Sequence, residues 1–295
     1  MKRAFAYLVE KFFTLSSLLP TPLHYFLANL LYPLIYHVVR YRRSVVRSNI
    51  DRSFPEMTQE ERYAIERGFY RFFCDYIVET CRLLSISDRE IRRRMTFDGI
   101  HEMEDALADH DFVFVYLGHY CNWEWISTLP LWVDKQYHCA QLYRPLNNEG
   151  FETVFMRLRT RFGAENIAKG EALRRILALR SQGQKSIIGF ISDQSPQPVN
   201  IHDWVDFLHQ DTPVFTGTER IAKKVDAAIF FADVQRLRRG RYHCTFRPLS
   251  TDVRALPDYQ LTELYMRQLE GIIRRQPTLW LWSHKRWKHQ RPASD

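Results

Sequence analysis

Six consecutive apolar residues, Phe112-Val113-Phe114-Val115-Tyr116-Leu117, constrain the fold more than any other stretch of the chain. A strand with one wet face alternates apolar and polar side chains, whereas an unbroken run asks to be covered on both faces. Further short apolar or β-rich runs lie at 137–143, 186–192, 227–234 and 242–246. Helical patterns fall between them, around 122–133, 149–162, 171–180 and 214–224, with one more at 258–275. Strands alternating with helices predict an α/β fold, a central sheet flanked by helices. Upstream, 57–86 carries a long helical pattern, with Thr58 as N-cap and Glu61 three residues later at capping-box spacing. A chain of 295 residues buries one substantial core and needs no second unrelated domain.

The first 50 residues read differently. The early apolar stretch from Ala4 to Leu19 is interrupted by Glu10 and Lys11 and has no signal-cleavage pattern. Leu23 to Val39 is at the short limit for a bilayer span and contains His24, Asn29, Pro33 and His37. Arg40, Arg42, Arg43 and Arg47 follow at once. An aromatic-rich apolar segment followed by a basic cluster fits a membrane-associating helical segment lying at the interface better than a clean span. The competing reading is that these helices simply pack on the body.

A formal net charge of +8 favours anionic partners: phosphorylated lipid, a membrane surface, an acidic carrier protein or nucleic acid. The basic residues are dispersed and carry no nucleic-acid-binding motif, which argues against nucleic acid. Five scattered cysteines with no CxxC spacing predict neither a disulfide framework nor a zinc knuckle, and make a reducing, cytosol-facing location the default.

Where the apolar run ends, the chain reads Gly118-His119-Tyr120-Cys121-Asn122-Trp123-Glu124-Trp125. In open α/β sheets ligands bind beyond the carboxyl ends of the strands. His119 and Glu124 are five apart and would diverge on a continuous helix, but a strand-to-helix turn brings them within reach. Gly118 allows the tight exit and Asn122 is placed to cap the next helix. A histidine oriented by a carboxylate can take a proton from a hydroxyl. No serine stands beside it as the enzyme's own nucleophile, so the hydroxyl belongs to the substrate. Cys121 as a covalent nucleophile, a metal site of His119, Cys121 and Glu124, and a glutamate merely capping a helix beside a core histidine are the weaker readings.

The stretch GHYCNWE resembles the H-x-x-x-x-D/E signature of glycerolipid-type acyltransferases, and its flanks resemble the lipid A late acyltransferases. In that family a glycine usually stands where this chain has Cys121. Tyr143-Arg144-Pro145, Asp193-Gln194, Thr216-Gly217-Thr218 and Leu281-Trp282-Ser283-His284-Lys285-Arg286 resemble further blocks of the family, in order, as do Arg40 to Arg43 with Asn49-Ile50. The resemblance covers roughly residues 20 to 290. It implies a glycerolipid acyltransferase-like fold with a mixed central sheet, membrane-associating helices over 1–50 and a catalytic domain over 51–295.

The same resemblance implies transfer of a fatty acyl group from acyl carrier protein, or acyl-CoA, to a hydroxyl of a lipid A precursor at the cytoplasmic face of the inner membrane, with no cofactor and no metal. His119 becomes the general base and Glu124 its partner. Asn122, Arg144, Arg159, Asp193 and Gln194 become substrate-binding candidates, the arginines because guanidinium forks match phosphate oxygens. Arg157 and Arg161 read equally well as a solvated helix face. Asp193 either lines the pocket, braces the dyad, or only ties a strand to its loop. Two other functions stay open at this point: the same chemistry on a lysophospholipid, aminolipid or other glycolipid, and a noncatalytic basic protein that binds membrane or nucleic acid.

Overall fold

The computed structural model of the protein describes residues 2–291. Four helices open the chain: α1 (Lys2–Ser17), α2 (Thr21–Pro33), α3 (Arg43–Ser53) and α4 (Gln59–Arg82). Helix α5 (Asp88–Arg94) leads into β1 (Met95–Asp98), and α6 (Ile100–Asp109) leads into β2 (Phe112–Leu117). A 3-10 run over Trp123–Leu131 connects to β3 (His138–Tyr143), α7 (Glu149–Thr160) and β4 (Glu165–Ala168). Helix α8 (Ala172–Ser181) then precedes β5 (Ser186–Ile191) and a small hairpin, β6 (Trp204–Phe207) with β7 (Gln210–Pro213). Helix α9 (Gly217–Val225), the long hairpin β8 (Ala228–Arg238) and β9 (Arg241–Ser250), and α10 (Gln260–Arg275) complete the order.

Seven strands form one mixed sheet in the order β1-β9-β8-β2-β5-β3-β4. Strands β8, β2, β5, β3 and β4 are mutually parallel; β9 runs antiparallel to β8 and carries β1 parallel to itself. The apolar run is β2, central in the sheet and buried at all six positions. On one of its faces Tyr116 stacks on Tyr265 of α10 with ring centroids 4.6 Å apart. On the other, Val115 and Leu117 line a cavity. The α/β expectation therefore holds, with the sheet mixed because β8 and β9 form a tight hairpin at Arg239-Gly240.

Strands β1, β4, β6 and β7 were not legible as runs, being four residues each and interrupted by Asp, Asn, Gln or Thr. The predicted helix after β2 is a 3-10 run with Pro130 inside it, since proline withdraws a backbone donor. The capping box at Thr58 forms as expected.

Helices α1 and α2 lie on the body along one side and leave the other side apolar. Phe13 of α1 meets Phe151 of α7 edge-on, and Tyr25 of α2 donates to the Glu79 carboxylate of α4 at 2.9 Å. Away from these contacts Tyr7, Leu8, Phe12, Leu15, Leu18, Leu23, Phe26, Leu30, Leu34 and Val38 are each at least 39% exposed. Helix α2 ends at Pro33 and the chain continues for one π turn over Leu34–Val38. Among the described residues no helix is long and apolar enough to cross a membrane.

Candidate active site

Register decides what gathers at the carboxyl end of the sheet. Strands β2 and β5 pair in parallel with Leu117 opposite Ile191. His119 and Asp193 each lie two residues beyond that pair, so the two loops deliver them to the same level. Asp193 Oδ1 and His119 Nδ1 are 2.6 Å apart, while Asp193 Oδ2 accepts the His119 backbone N–H at 2.9 Å and the Trp280 indole N–H at 2.9 Å. Asp193 is 2% exposed. Burial alone raises its pKa, but the neighbouring imidazole and the donated hydrogen bonds outweigh burial and hold it at about 2. A carboxylate ionised at neutral pH places the ring proton on Nδ1 and leaves the Nε2 lone pair facing the cavity. Gln194 Nε2 stands 3.2 Å from that lone pair.

The turn carrying His119 is clamped by the C-terminal segment. Cys121 donates its backbone N–H to Leu279, Leu281 donates to the His119 carbonyl, and Tyr120 bridges Trp280. That segment is held in turn by α3, where Asn49 donates to the carbonyls of Trp282 and His284, each at 2.9 Å. Gly118 sits where any Cβ would come within 2.6 Å of Leu269 on α10 and 3.4 Å of the Asp193 carboxylate, so close approach accounts for the glycine. Cys121 has φ +56°, a left-handed conformation that favours glycine. Its thiol is fully buried and burial pushes its pKa well up, which leaves it inert as a nucleophile. Among the described residues no three His, Cys, Asp or Glu side chains gather as a metal site.

Glu124 is not the carboxylate on His119. It is 3% exposed and makes a bidentate ion pair with Arg159 of α7, at 2.8 and 2.5 Å. Asn122 does not cap the following run and does not reach the cavity; fully buried, it donates to the Glu79 carboxylate at 2.7 Å. That carboxylate also accepts from Tyr25 and Tyr242, tying the turn to α2, α4 and β9. His119, Glu124, Arg144, Arg159 and Gln194 do share one wall-to-wall cavity of about 690 Å³, and Asp193 stands behind His119 rather than on its surface. Apolar side chains from Val115, Leu117, Leu129, Ile187, Phe190 and Phe246 make up the depth of this cavity. Arg161 bonds the Leu83 carbonyl and Arg157 reaches towards Glu10, so neither faces the site. Arg236 and Arg239 of the β8–β9 hairpin fold onto the buried Asp75.

The roles of three contributors escaped sequence reasoning. Trp280 holds the Asp193 carboxylate, yet a tryptophan near a C-terminus carries no mark of that role. His284 accepts the Ser195 backbone N–H at 3.3 Å, with burial depressing its pKa to about 4. Lys169 lines the cavity from the connection after β4 and could have been found only from strand register.

An α/β sheet with a carboxylate-oriented histidine at its carboxyl end, opening on a largely apolar cavity, has the layout of an enzyme site suited to proton transfer beside an apolar group. The sequence model described as bacterial lipid A biosynthesis acyltransferase matches residues 1–289, and the chain belongs to that family. It is 24% identical over 279 residues to the lipid A biosynthesis palmitoleoyltransferase of Escherichia coli (strain K12), covering 94% of this chain and 88% of the relative. The same figures hold for the lipid A biosynthesis acyltransferase of Shigella flexneri. The protein is thus an acyltransferase, which sets aside the noncatalytic readings of its basic charge.

Proposed function

We propose that the protein transfers a fatty acyl chain from a thioester, on acyl carrier protein or coenzyme A, to a hydroxyl of a lipid A precursor, with His119 as general base and Asp193 as its orienting carboxylate. The observation that carries this reading is the His119–Asp193 pair, with its free Nε2 opening on an apolar cavity of about 690 Å³. The acyl chain lies in that cavity. Nε2 removes the proton as the acceptor oxygen attacks the thioester carbonyl, forming a C–O bond and a tetrahedral oxyanion. Collapse breaks the C–S bond, and the imidazolium returns the proton to the departing thiolate. Asp193 stabilises the imidazolium without itself being protonated. The acceptor hydroxyl has to displace the Gln194 amide from Nε2, which leaves that N–H beside the developing oxyanion. The Glu124–Arg159 ion pair lines the same cavity.

Helices α1 and α2 seat the enzyme on the cytoplasmic face of the inner membrane through their exposed apolar side, so the lipid acceptor is reached from the interface. Acyl carrier protein or acyl-CoA donors of several chain lengths, incubated with a tetraacylated lipid A precursor and read by mass spectrometry, test the assignment. One added acyl chain, lost in His119→Ala and Asp193→Asn, is the expected result. Transfer to lysophospholipids or aminolipids alone would reassign the acceptor, and full activity in Asp193→Asn would remove Asp193 from the mechanism.

A further inference from the structure

The cavity beneath His119 has a definite end. Along the sheet it is lined by Val115 and Leu117 of β2, Ile187, Gly189 and Ile191 of β5, and Cys139 of β3. Cys139 lies opposite Ile187, four residues and so roughly 13 Å before the last residue of β5. At that depth Cys139 and Pro130 also line a second cavity, of about 250 Å³, which continues past Val133 and Phe162 towards Asp134, Gln136 and His138. The two side chains are thus a shared wall between a largely apolar space and a more polar one. Burial pushes the Cys139 thiol up to about 12, so at neutral pH it is an uncharged, polarisable plug.

Halfway along, the sheet lacks a side chain. Gly189 stands inside β5, where glycine weakens a strand and often marks the close approach of a ligand. A Cβ there would meet nothing closer than Leu117 at 3.7 Å and Gln141 at 3.8 Å, which are ordinary contacts, so the protein's own packing does not call for glycine. Its partners across the sheet, Val115 and Gln141, both line the cavity, and between them the glycine leaves bare backbone for a straight chain to lie against.

We propose that Gly189 and Cys139 set the length of acyl chain the enzyme takes, Gly189 by opening the passage along β5 and Cys139, together with Pro130, by closing its far end. The proposal rests on the reading that the cavity receives the acyl chain, and it adds which residues measure that chain. A terminal methyl that reaches the wall fills the space. Each methylene short of the wall forgoes burial, and each one beyond it collides with close-packed side chains.

Binding of straight-chain fatty acids, from octanoic to octadecanoic, to the purified protein reads the channel without reference to catalysis. In wild type, affinity should rise about fourfold with each methylene and stop rising at the chain that reaches the wall. Cys139→Leu enlarges the wall by about two heavy atoms and should bring that limit about two carbons earlier, whereas Cys139→Ala should move it about one carbon later. Gly189→Val, halfway along, should bring it earlier than Cys139→Leu does. Affinity that climbs without a limit, as it would on the exposed apolar side of α1 and α2, overturns the channel. A limit that stays put in all three variants overturns it too. Where the enlarged side chains prevent folding, Cys139→Ala alone decides, by whether its limit moves. Acyl transfer from thioester donors in competition then ties the channel to the reaction, since the preferred donor length should shift with the binding limit. A preference that stays fixed while the limit moves overturns the assignment to the acyl chain. If wild type transfers no acyl chain, the acyl-transfer reading fails, while the binding series still decides whether Gly189 and Cys139 measure an alkyl chain.

Discussion

Two buried carboxylates stand at the cavity, Glu124 in its wall and Asp193 behind His119, and they do different things. Asp193, on the β5 side, accepts three donors, two of them from the His119 residue, and its charge is committed to a proton-transfer group. Glu124, on the side of α7, gives both oxygens to one guanidinium and makes no hydrogen bond to the histidine five residues before it. The difference teaches that a carboxylate's role follows from the donors that tertiary structure aims at it, and its distance along the chain is a poor guide.

The largest test of that contrast is at the base itself. His119→Ala should lower turnover by about 10⁴-fold with little change in thermal stability, because the ring is only partly buried. Asp193→Asn keeps the shape but removes the charge that sets the tautomer, and a fall of about a thousandfold in kcat with KM nearly constant is expected. Comparable activity in this variant would make the two carboxylates equivalent and break the comparison.

Glu124→Gln should act through stability. It strands a largely buried Arg159, for a loss of about 3 kcal/mol in denaturant unfolding, and the double variant Glu124→Gln, Arg159→Met should regain part of it. A Glu124→Gln protein of full stability but no activity would return Glu124 to the chemistry.

His284 sharpens the Asp193 side. Its folded pKa, about 4, lies below the ordinary histidine value of about 6.5, so the unfolded chain binds the proton first as pH falls. Stability is whole above the unfolded value and declines between about 6.5 and 4, by on the order of 3 kcal/mol at most. His284→Gln, whose carbonyl can still accept the Ser195 N–H, should flatten that slope in unfolding midpoints measured at pH 7.5 and 5. An unchanged slope would place the proton uptake elsewhere.

The smallest effect concerns the turn between the two carboxylates. At φ +56° alanine retains the backbone strain of Cys121 and glycine relieves it, by roughly 1 kcal/mol. Cys121→Gly should therefore be no less stable than Cys121→Ala, against the usual order for a buried site. A clearly less stable glycine variant would show that the thiol's packing outweighs the strain.

The apolar run 112–117, the helix–strand alternation and the capping box at Thr58 were open to reading from the sequence because periodicity and local hydrogen bonding are properties of neighbours. His119 as the candidate base was open to reading for the same reason, since a histidine after an apolar strand and a glycine is a local pattern. Short strands such as β1 and β4 have no such pattern, and they exist because a longer neighbour offers its edge. The sequence by itself determined the fold class, the loop that carries the proposed base and the apolar character of the first 50 residues. Only the tertiary structure decided that Asp193 rather than Glu124 meets His119, that Trp280 holds Asp193, and that Arg144 lies beside Lys169. The first and third of those pairings follow from the parallel register of β2 with β5 and of β3 with β4, relations between strands about 74 and 25 residues apart, while Trp280 is brought in by the C-terminal segment pairing with Tyr120.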